Sequence, residues 1–341
     1  MRGTTWLNIA ALAGVAIGLS LIAIKNAPSA EPHLLNVSYD PTRELYQTIN
    51  PLFTESYLQS NDRNIRIVQS HGGSSRQARR VISGELDADV VTLGLYSDIE
   101  ALRKRGLIAD GWANRLPNHS LPYTSTIVFV VRRGNPRGIR DWPDLVAPGV
   151  EIVTPNPKTS GNGKLSALAA WAAIVTRGGS DAEARAYLTQ LYQHVRQLDE
   201  GARDAAIRFA DQDVGDVHVT WENEALREVA EANGRLELIA PPVSILAEPY
   251  VAWVDSATAR HGTLDDARAY LAFLFSEPAQ QAIARLGYRP IKPRVAAKAG
   301  VTFAAIKLVP VSAIARDWDD AAETFFGENG IIDTILQGRA P

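Results

Sequence analysis

Four short segments of this chain could present hydrogen-bond donors to a small anion. They lie at 38–42, 70–75, 156–163 and 201–203, share a composition of Ser, Thr, Gly and Asn, and precede predicted helices. The first four N–H groups of an α-helix lack partners inside the helix, and the helix dipole favours negative charge at that end. Anion binding by backbone N–H groups is therefore the chemistry that these segments indicate.

Helix capping is the ordinary alternative for each segment taken singly, because Ser, Thr, Asn and Gly are common at helix starts. The four segments together are less easily explained in that way. In an open α/β sheet, ligands bind outside the carboxyl ends of the strands, where such loops meet. Composition alone leaves both interpretations open.

The elements that would position these loops are short apolar strands alternating with segments of helical period. This alternation predicts an α/β fold with largely parallel strands. Strands are predicted at 34–38, 65–69, 88–93, 126–131, 150–154, 217–221, 236–239 and 250–254. Helices are predicted at 75–83, 97–104, 165–176, 181–197, 202–211, 223–232 and 264–274. A length of 341 residues suggests two domains.

Composition argues against several classes of protein. Acidic residues number 38 against 35 basic ones, and no basic block is present, so nucleic acid is not expected as a partner. The absence of cysteine rules out thiol nucleophiles and thiolate metal sites. The histidines show no H-x-x-x-H spacing, so we expect no metal and assign His71 a structural hydrogen bond. No G-x-S-x-G motif is present, and 158–165 departs from a phosphate-binding P-loop.

The N-terminal segment 1–30 is predicted to be an export signal. An uncharged apolar stretch at 6–24 follows Arg2 and ends before small and helix-breaking residues. Since this stretch is nearly as long as the roughly 20 residues that cross a bilayer, an uncleaved membrane anchor is the alternative. Either form would place the folded chain in the periplasm.

The loops also carry strings that resemble a known family. These are NVSYDPTREL at 36–45, QSHGGSS at 69–75, ADVVTL at 88–93, PYTSTI at 122–127, TPNPKTSG at 154–161 and WENEA at 221–225. In them the chain is similar to the periplasmic sulfate-binding proteins of sulfate/thiosulfate ABC importers. The resemblance extends from about residue 34 to residue 338, nearly the whole chain after the export segment.

The resemblance implies a type II periplasmic-binding-protein fold, in which two α/β lobes close on one anion without a metal or cofactor. We expect lobe 1 at 34–121 plus 255–341 and lobe 2 at 122–254. The ligand contacts that the resemblance implies are the N–H of Asp40, the hydroxyl of Ser74, the N–H groups of Ser160, Gly161, Asn162 and Ala202, and the indole N–H of Trp221. His71 and Arg203 are expected to support these loops from behind, although Arg203 could instead steer the anion.

Two positions depart from the family pattern. Asn162 stands where many relatives have glycine, and a backbone contact tolerates it if Asn162 adopts an unusual φ. Asp204 adds a negative charge close to the expected anion.

The predicted function is capture of sulfate as a monomer, followed by delivery to the membrane permease of an ABC importer. Sulfate carries no proton near neutral pH, whereas a phosphate O–H needs an acceptor that a donor-only cleft lacks. Thiosulfate or molybdate could occupy the same cleft. Outside this class, the alternatives are an ester hydrolase with Ser74 or His71 reactive, or an anion sensor that controls a membrane receptor.

Overall fold

The computed structural model describes residues 32–338. Its strands are β1 (His33–Tyr39), β2 (Arg66–Gly72), β3 (Val90–Leu93), β4 (Tyr123–Thr124), β5 (Ile127–Arg132), β6 (Ile152–Pro155), β7 (Val195–Asp199), β8 (Val217–Trp221), β9 (Leu236–Ile239), β10 (Val243–Ile245), β11 (Tyr250–Trp253), β12 (Arg289–Pro290) and β13 (Lys307–Val309). The α-helices are Arg43–Asn61, Ser74–Ile82, Tyr96–Lys104, Gly161–Val175, Asp181–Gln193, Ala202–Ala206, Glu222–Glu231, Asp255–His261, Leu264–Phe273, Glu277–Arg285, Pro293–Lys298, Trp318–Phe326 and Ile331–Gln337. A turn at Pro117–Ser120 has left-handed backbone inside it.

Two larger sheets organise the described part of the chain. The first has the order β11-β3-β1-β2, with β1 parallel to both neighbours and β11 antiparallel to β3. The second has the order β7-β6-β8-β5-β9, with β6 parallel to β7 and β8. Helices cover both sheets, which is why strands such as β5 read as continuous apolar runs. The predicted α/β class is confirmed.

The segments that pass between the two sheets run side by side. Residues Ser125 and Ala247 form an antiparallel bridge, with N–H to O distances of 2.9 and 3.0 Å. One segment follows the short strand β4 and the other precedes β11. These two extended segments are the covalent connections that a relative movement of the sheets would bend.

The limits predicted for the lobes stay predictions, and two packing features bear on them. Strand β11 lies inside the range predicted for lobe 2 but pairs with β3 in the first sheet. Near the C-terminus, inside the range predicted for lobe 1, the Phe325 ring meets Trp171 of the Gly161–Val175 helix edge-on, with centroids 4.9 Å apart. The C-terminal helices therefore pack against the layer that covers the second sheet.

One predicted helix extended too far. The helix expected at 181–197 ends at Gln193, and Val195–Asp199 forms β7 beside β6. Only Val195 and Asp199 of β7 are buried, so the segment shows no apolar alternation that would have predicted a strand. No helix within residues 32–338 is long and apolar enough to span a bilayer. The export segment predicted at 1–30 lies outside the described residues.

Candidate functional site

The four loops singled out in the sequence converge between the two sheets. The N–H of Arg76, just after β2, donates to the carbonyl of Thr159 at 3.3 Å. The Thr159 hydroxyl donates to the carbonyl of Glu200, which follows β7, at 2.8 Å. Gly201 lies against the carboxylate of Asp40, which follows β1. Loops at the carboxyl ends of β1 and β2 thus face loops at the carboxyl ends of β6 and β7.

The N-terminus of the Gly161–Val175 helix lies where these loops meet, and it has no side-chain cap. Its N-cap residue Ser160 makes no side-chain cap, and the Ser160 N–H donates to the carbonyl of Asn156 at 2.9 Å. The first bond into the helix runs from the Lys164 N–H to the Ser160 carbonyl at 3.1 Å. Within residues 32–338, the N–H groups of Gly161 and Asn162 have no acceptor. They are the free donors that the resemblance implied.

Asn162 reaches this position without backbone strain. It lies in the first turn of the helix and is absent from the residues with positive φ, so the unusual φ proposed for it is not needed. Its side chain is buried and donates to the carbonyl of Val219 at 3.4 Å. The side chain is therefore directed at β8, and only the backbone of Asn162 is available to a ligand.

Trp221 ends β8 and is the most informative residue of the site. The side chain is 0% exposed, and its ring centroid lies 5.3 Å from that of Tyr39. Among the described residues, no acceptor contacts the indole Nε1. A buried donor without a partner costs about 1–3 kcal/mol. Since indole can only donate, a ligand at this position would have to supply an acceptor.

Ser74 uses its hydroxyl within the protein. The oxygen accepts the Gly94 N–H at 2.9 Å and donates to Oδ2 of Asp98 at 2.5 Å. Asp98 also accepts the Ser75 hydroxyl at 2.8 Å. The single hydroxyl proton of Ser74 is thus directed to Asp98, while the Ser74 N–H, at the start of the Ser74–Ile82 helix, has no acceptor among the described residues.

Sequence reasoning missed Asp98. The residue is 5% exposed and lies in the first turn of the Tyr96–Lys104 helix. Its position there fits the usual preference of carboxylates for helix starts. Nothing in the local sequence signals the contact with Ser74, because the two residues approach only after β3 and β1 pair.

Asp40 and Ala202 also lie where the loops of the two sheets meet. Both are buried, and each begins a short helical turn. Burial raises the pKa of the Asp40 carboxyl, and Arg43, whose guanidinium lies 3.3 Å away, opposes this. Asp204 is exposed to solvent, which screens its charge.

The cations around the site are already paired with carboxylates. Arg203 donates to both oxygens of Glu44 at 2.8 Å. Burial raises the pKa of Glu44, but the hydrogen bond and charge of Arg203, together with a backbone hydrogen bond and the charge of Arg227, outweigh it and the net shift is downward. The ammonium of Lys164 lies 3.7 Å from the Asp98 carboxylate. A ligand between these loops would therefore meet uncharged donors.

His71 has the structural hydrogen bond that was predicted for it. Its Nδ1 lies 2.8 Å from the Ser38 hydroxyl. Burial, helped by the nearby Arg43 charge, lowers the pKa of His71 to about 4, so the ring is neutral near pH 7. Residues 32–338 contain no group of three His, Asp or Glu side chains that could hold a metal ion.

Comparison with known proteins agrees with this arrangement. Residues 34–289 match the family described as "Bacterial extracellular solute-binding protein". The sulfate-binding protein of Escherichia coli K12 is 44% identical over 322 residues, covering 94% of this chain and 98% of that protein. The thiosulfate-binding protein of Pseudomonas aeruginosa is 42% identical over 316 residues, covering 92% of this chain and 95% of that protein.

A solved structure is similar over most of the chain as well. The sulfate-binding protein SubI from Mycobacterium tuberculosis H37Rv has a TM-score of 0.78 at 30% identity, covering 86% of this chain and 99% of that chain. The prediction of a type II periplasmic-binding-protein fold is confirmed. These relatives are named for binding and not for catalysis, which confirms the prediction that the chain is not an enzyme. The chain belongs to the bacterial extracellular solute-binding protein family.

Proposed function

We propose that the protein binds one sulfate ion between its two sheets, through uncharged donors. The observation that carries this proposal is the fully buried indole N–H of Trp221, which has no acceptor among the described residues. Gly94 lies against both this indole and Ser74, and Ser74 lies against Gly161, at the helix N-terminus whose first N–H groups are also free. A tetrahedral anion has enough acceptor oxygens to satisfy donors arriving from several loops at once.

The donors that we assign are those left free by the internal hydrogen bonds. The Ser160 N–H donates to the carbonyl of Asn156, so it is not available to a ligand. The Ser160 hydroxyl makes no hydrogen bond within residues 32–338, and we assign it instead. For Ser74 the backbone N–H replaces the hydroxyl, which Asp98 accepts. The full set is the N–H groups of Asp40, Ser74, Gly161, Asn162 and Ala202, the hydroxyl of Ser160 and the indole N–H of Trp221.

Sulfate fits this set better than phosphate does. Near neutral pH phosphate retains a proton, and its O–H would need an acceptor. None of the N–H and O–H donors assigned above serves as that acceptor, and the Asp98 carboxylate is engaged by the hydroxyls of Ser74 and Ser75 and by the Lys164 ammonium at 3.7 Å. An O–H left without an acceptor costs about 1–3 kcal/mol, which corresponds to roughly tenfold to hundredfold weaker binding.

Membership of this family supports delivery of the anion to an ABC importer. We infer that the chain is exported to the periplasm, acts as a monomer, and docks in its closed form on the membrane permease. Retention of the segment 1–30 as an anchor is the alternative to its removal as a signal.

The proposal is tested by removing the indole N–H. Trp221→Phe keeps an aromatic ring but loses the donor, and we expect sulfate affinity to fall about tenfold to hundredfold in calorimetric titration. Trp171→Phe is the matched control, since Trp171 lies about 15 Å further along the same helix as Gly161. It should leave the affinity unchanged. Equal affinities for wild type and Trp221→Phe would contradict the assignment.

Thiosulfate is the second candidate ligand, because one relative at 42% identity is named for it. Titration with thiosulfate under the same conditions separates the two. Tighter binding of thiosulfate than of sulfate would change the physiological ligand without changing the site.

A further inference from the structure

Glycines line the surface where loops of the two sheets meet. They are Gly73 and Gly94 on the side of the first sheet, and Gly161 and Gly201 on the side of the second. None of them has a positive φ. Any residue could therefore adopt these backbone conformations. Glycine is explained instead by neighbouring atoms, which lie close to where a Cβ would be.

Among these four glycines, Gly73 shows the tightest approach to backbone atoms. Its φ of −56° and ψ of 132° suit any amino acid. A Cβ at this position would lie 2.6 Å from the carbonyl oxygen of Thr159 and 3.1 Å from that of Glu200. Both atoms belong to the backbone of loops of the second sheet, after β6 and β7. They cannot rotate away as the end of a side chain can, so the loops themselves would have to move.

Two further glycines lie against side chains beside the free donors. A Cβ at Gly161 would lie 3.2 Å from Cβ of Ser74, and one at Gly94 would lie 3.4 Å from Cζ2 of Trp221. The same indole carries the buried N–H that has no acceptor within residues 32–338. These two glycines thus lie beside the donors, whereas the backbone contact at Gly73 limits how closely the two sides approach.

We propose that Gly73 is a specificity-determining residue, which sets the separation of the two sides of the cleft and so selects sulfate over larger tetrahedral oxyanions such as molybdate. This inference rests on the proposed function. N–H···O hydrogen bonds have donor–acceptor distances of only about 2.7–3.2 Å. A cleft held at one separation therefore satisfies only anions of one size from both sides.

The experiment adds one methyl group at Gly73, which we expect to move the two sides of the cleft apart. Gly73→Ala adds the Cβ that must displace the Thr159 carbonyl, and Gly73→Ser adds it with a residue that is preferred at the N-cap of a helix. We expect sulfate affinity, measured by calorimetry, to fall about tenfold in both variants. Molybdate affinity should change less than about threefold, because the larger anion still reaches donors on both sides.

Gly72→Ala is the matched control. The atoms nearest to its methyl would belong to the flexible side chain of Gln77 in the Ser74–Ile82 helix, at 3.2 Å and beyond. This variant should keep the wild-type ratio of sulfate to molybdate affinity. Urea unfolding without ligand checks that Gly73→Ala and Gly73→Ser are folded, so that a loss of sulfate affinity is not mistaken for unfolding.

The possible outcomes distinguish a failure of this inference from a failure of the proposed function on which it rests. A folded wild type that binds neither anion would overturn the proposed function, and this inference with it. Wild type that binds sulfate, with Gly73→Ala and Gly73→Ser at an unchanged sulfate-to-molybdate ratio, would overturn the inference alone. An equal loss of both anions would also overturn it, because Gly73 would then govern closure irrespective of ligand size.

Discussion

At the scale of single residues, the internal hydrogen bonds decide which donors remain for a ligand. Ser74 and Ser160 both stand in loops where serine could donate through its backbone or its hydroxyl. The structure engages the hydroxyl of one and the N–H of the other, through Asp98 and Asn156. Sequence could identify the two serines but not this division, because it depends on partners that are distant in sequence or set by loop conformation.

The two serines are therefore expected to respond differently to alanine. Ser160→Ala removes a donor to the anion, so sulfate affinity should fall about tenfold with little change in stability. Ser74→Ala leaves the Gly94 N–H without its acceptor and should cost about 1–3 kcal/mol of unfolding free energy, with a smaller effect on affinity. Calorimetry and urea unfolding on the same preparations check both. The reverse pattern would show that the hydroxyl of Ser74 turns to the ligand.

The lowered pKa of His71 predicts how the stability of the protein depends on pH. This pKa is about 4 in the folded protein and near 6.5 when unfolded. Between these values the unfolded state binds more protons at this residue, so its contribution to stability is lost as the pH falls from 6.5 towards 4. Urea unfolding of His71→Asn should show a smaller loss over that window than wild type does. Parallel pH profiles would refute a depressed pKa.

At the scale of elements, prediction worked where a burial pattern was strong. Strand β8 coincides with the predicted segment 217–221 and is buried throughout, and β9 coincides with 236–239, where three of the four residues are apolar although only Leu236 is buried. Strand β7 was missed because the polar residues Arg196 and Gln197 interrupt Val195–Asp199. The short strands β4, β10, β12 and β13 were also missed, since two or three residues are too few to show a period.

The packing of the C-terminal helices gives the prediction at this scale. Phe325 is 2% exposed and meets Trp171 edge-on, on the far end of the helix whose start forms the site. Phe325→Ala should lower the free energy of unfolding by about 3–5 kcal/mol, because it leaves a cavity in the core. Sulfate affinity of the folded fraction should be retained. Leu58→Ala, at a position 43% exposed, is the control and should be nearly neutral.

At the scale of the whole molecule, the two sheets bring the carboxyl ends of their strands together, so that short loops carry all the proposed contacts. The sequence predicted which loops these are. It did not predict the approach of Gly73 to Thr159 or the direction of the Trp221 indole, which exist only once both sheets are assembled. The cations near the loops are occupied by carboxylates such as Glu44 and Asp98, which leaves recognition to oriented dipoles.

The most direct test of this account is calorimetric titration of the dialysed wild-type protein with sulfate and with phosphate at neutral pH. The account predicts one sulfate per chain, bound in the micromolar range or more tightly, and phosphate bound at least about tenfold more weakly. Phosphate binding equal to that of sulfate would contradict a cleft made only of donors. No heat with either anion, from protein shown to be folded, would contradict the central claim that this cleft binds sulfate.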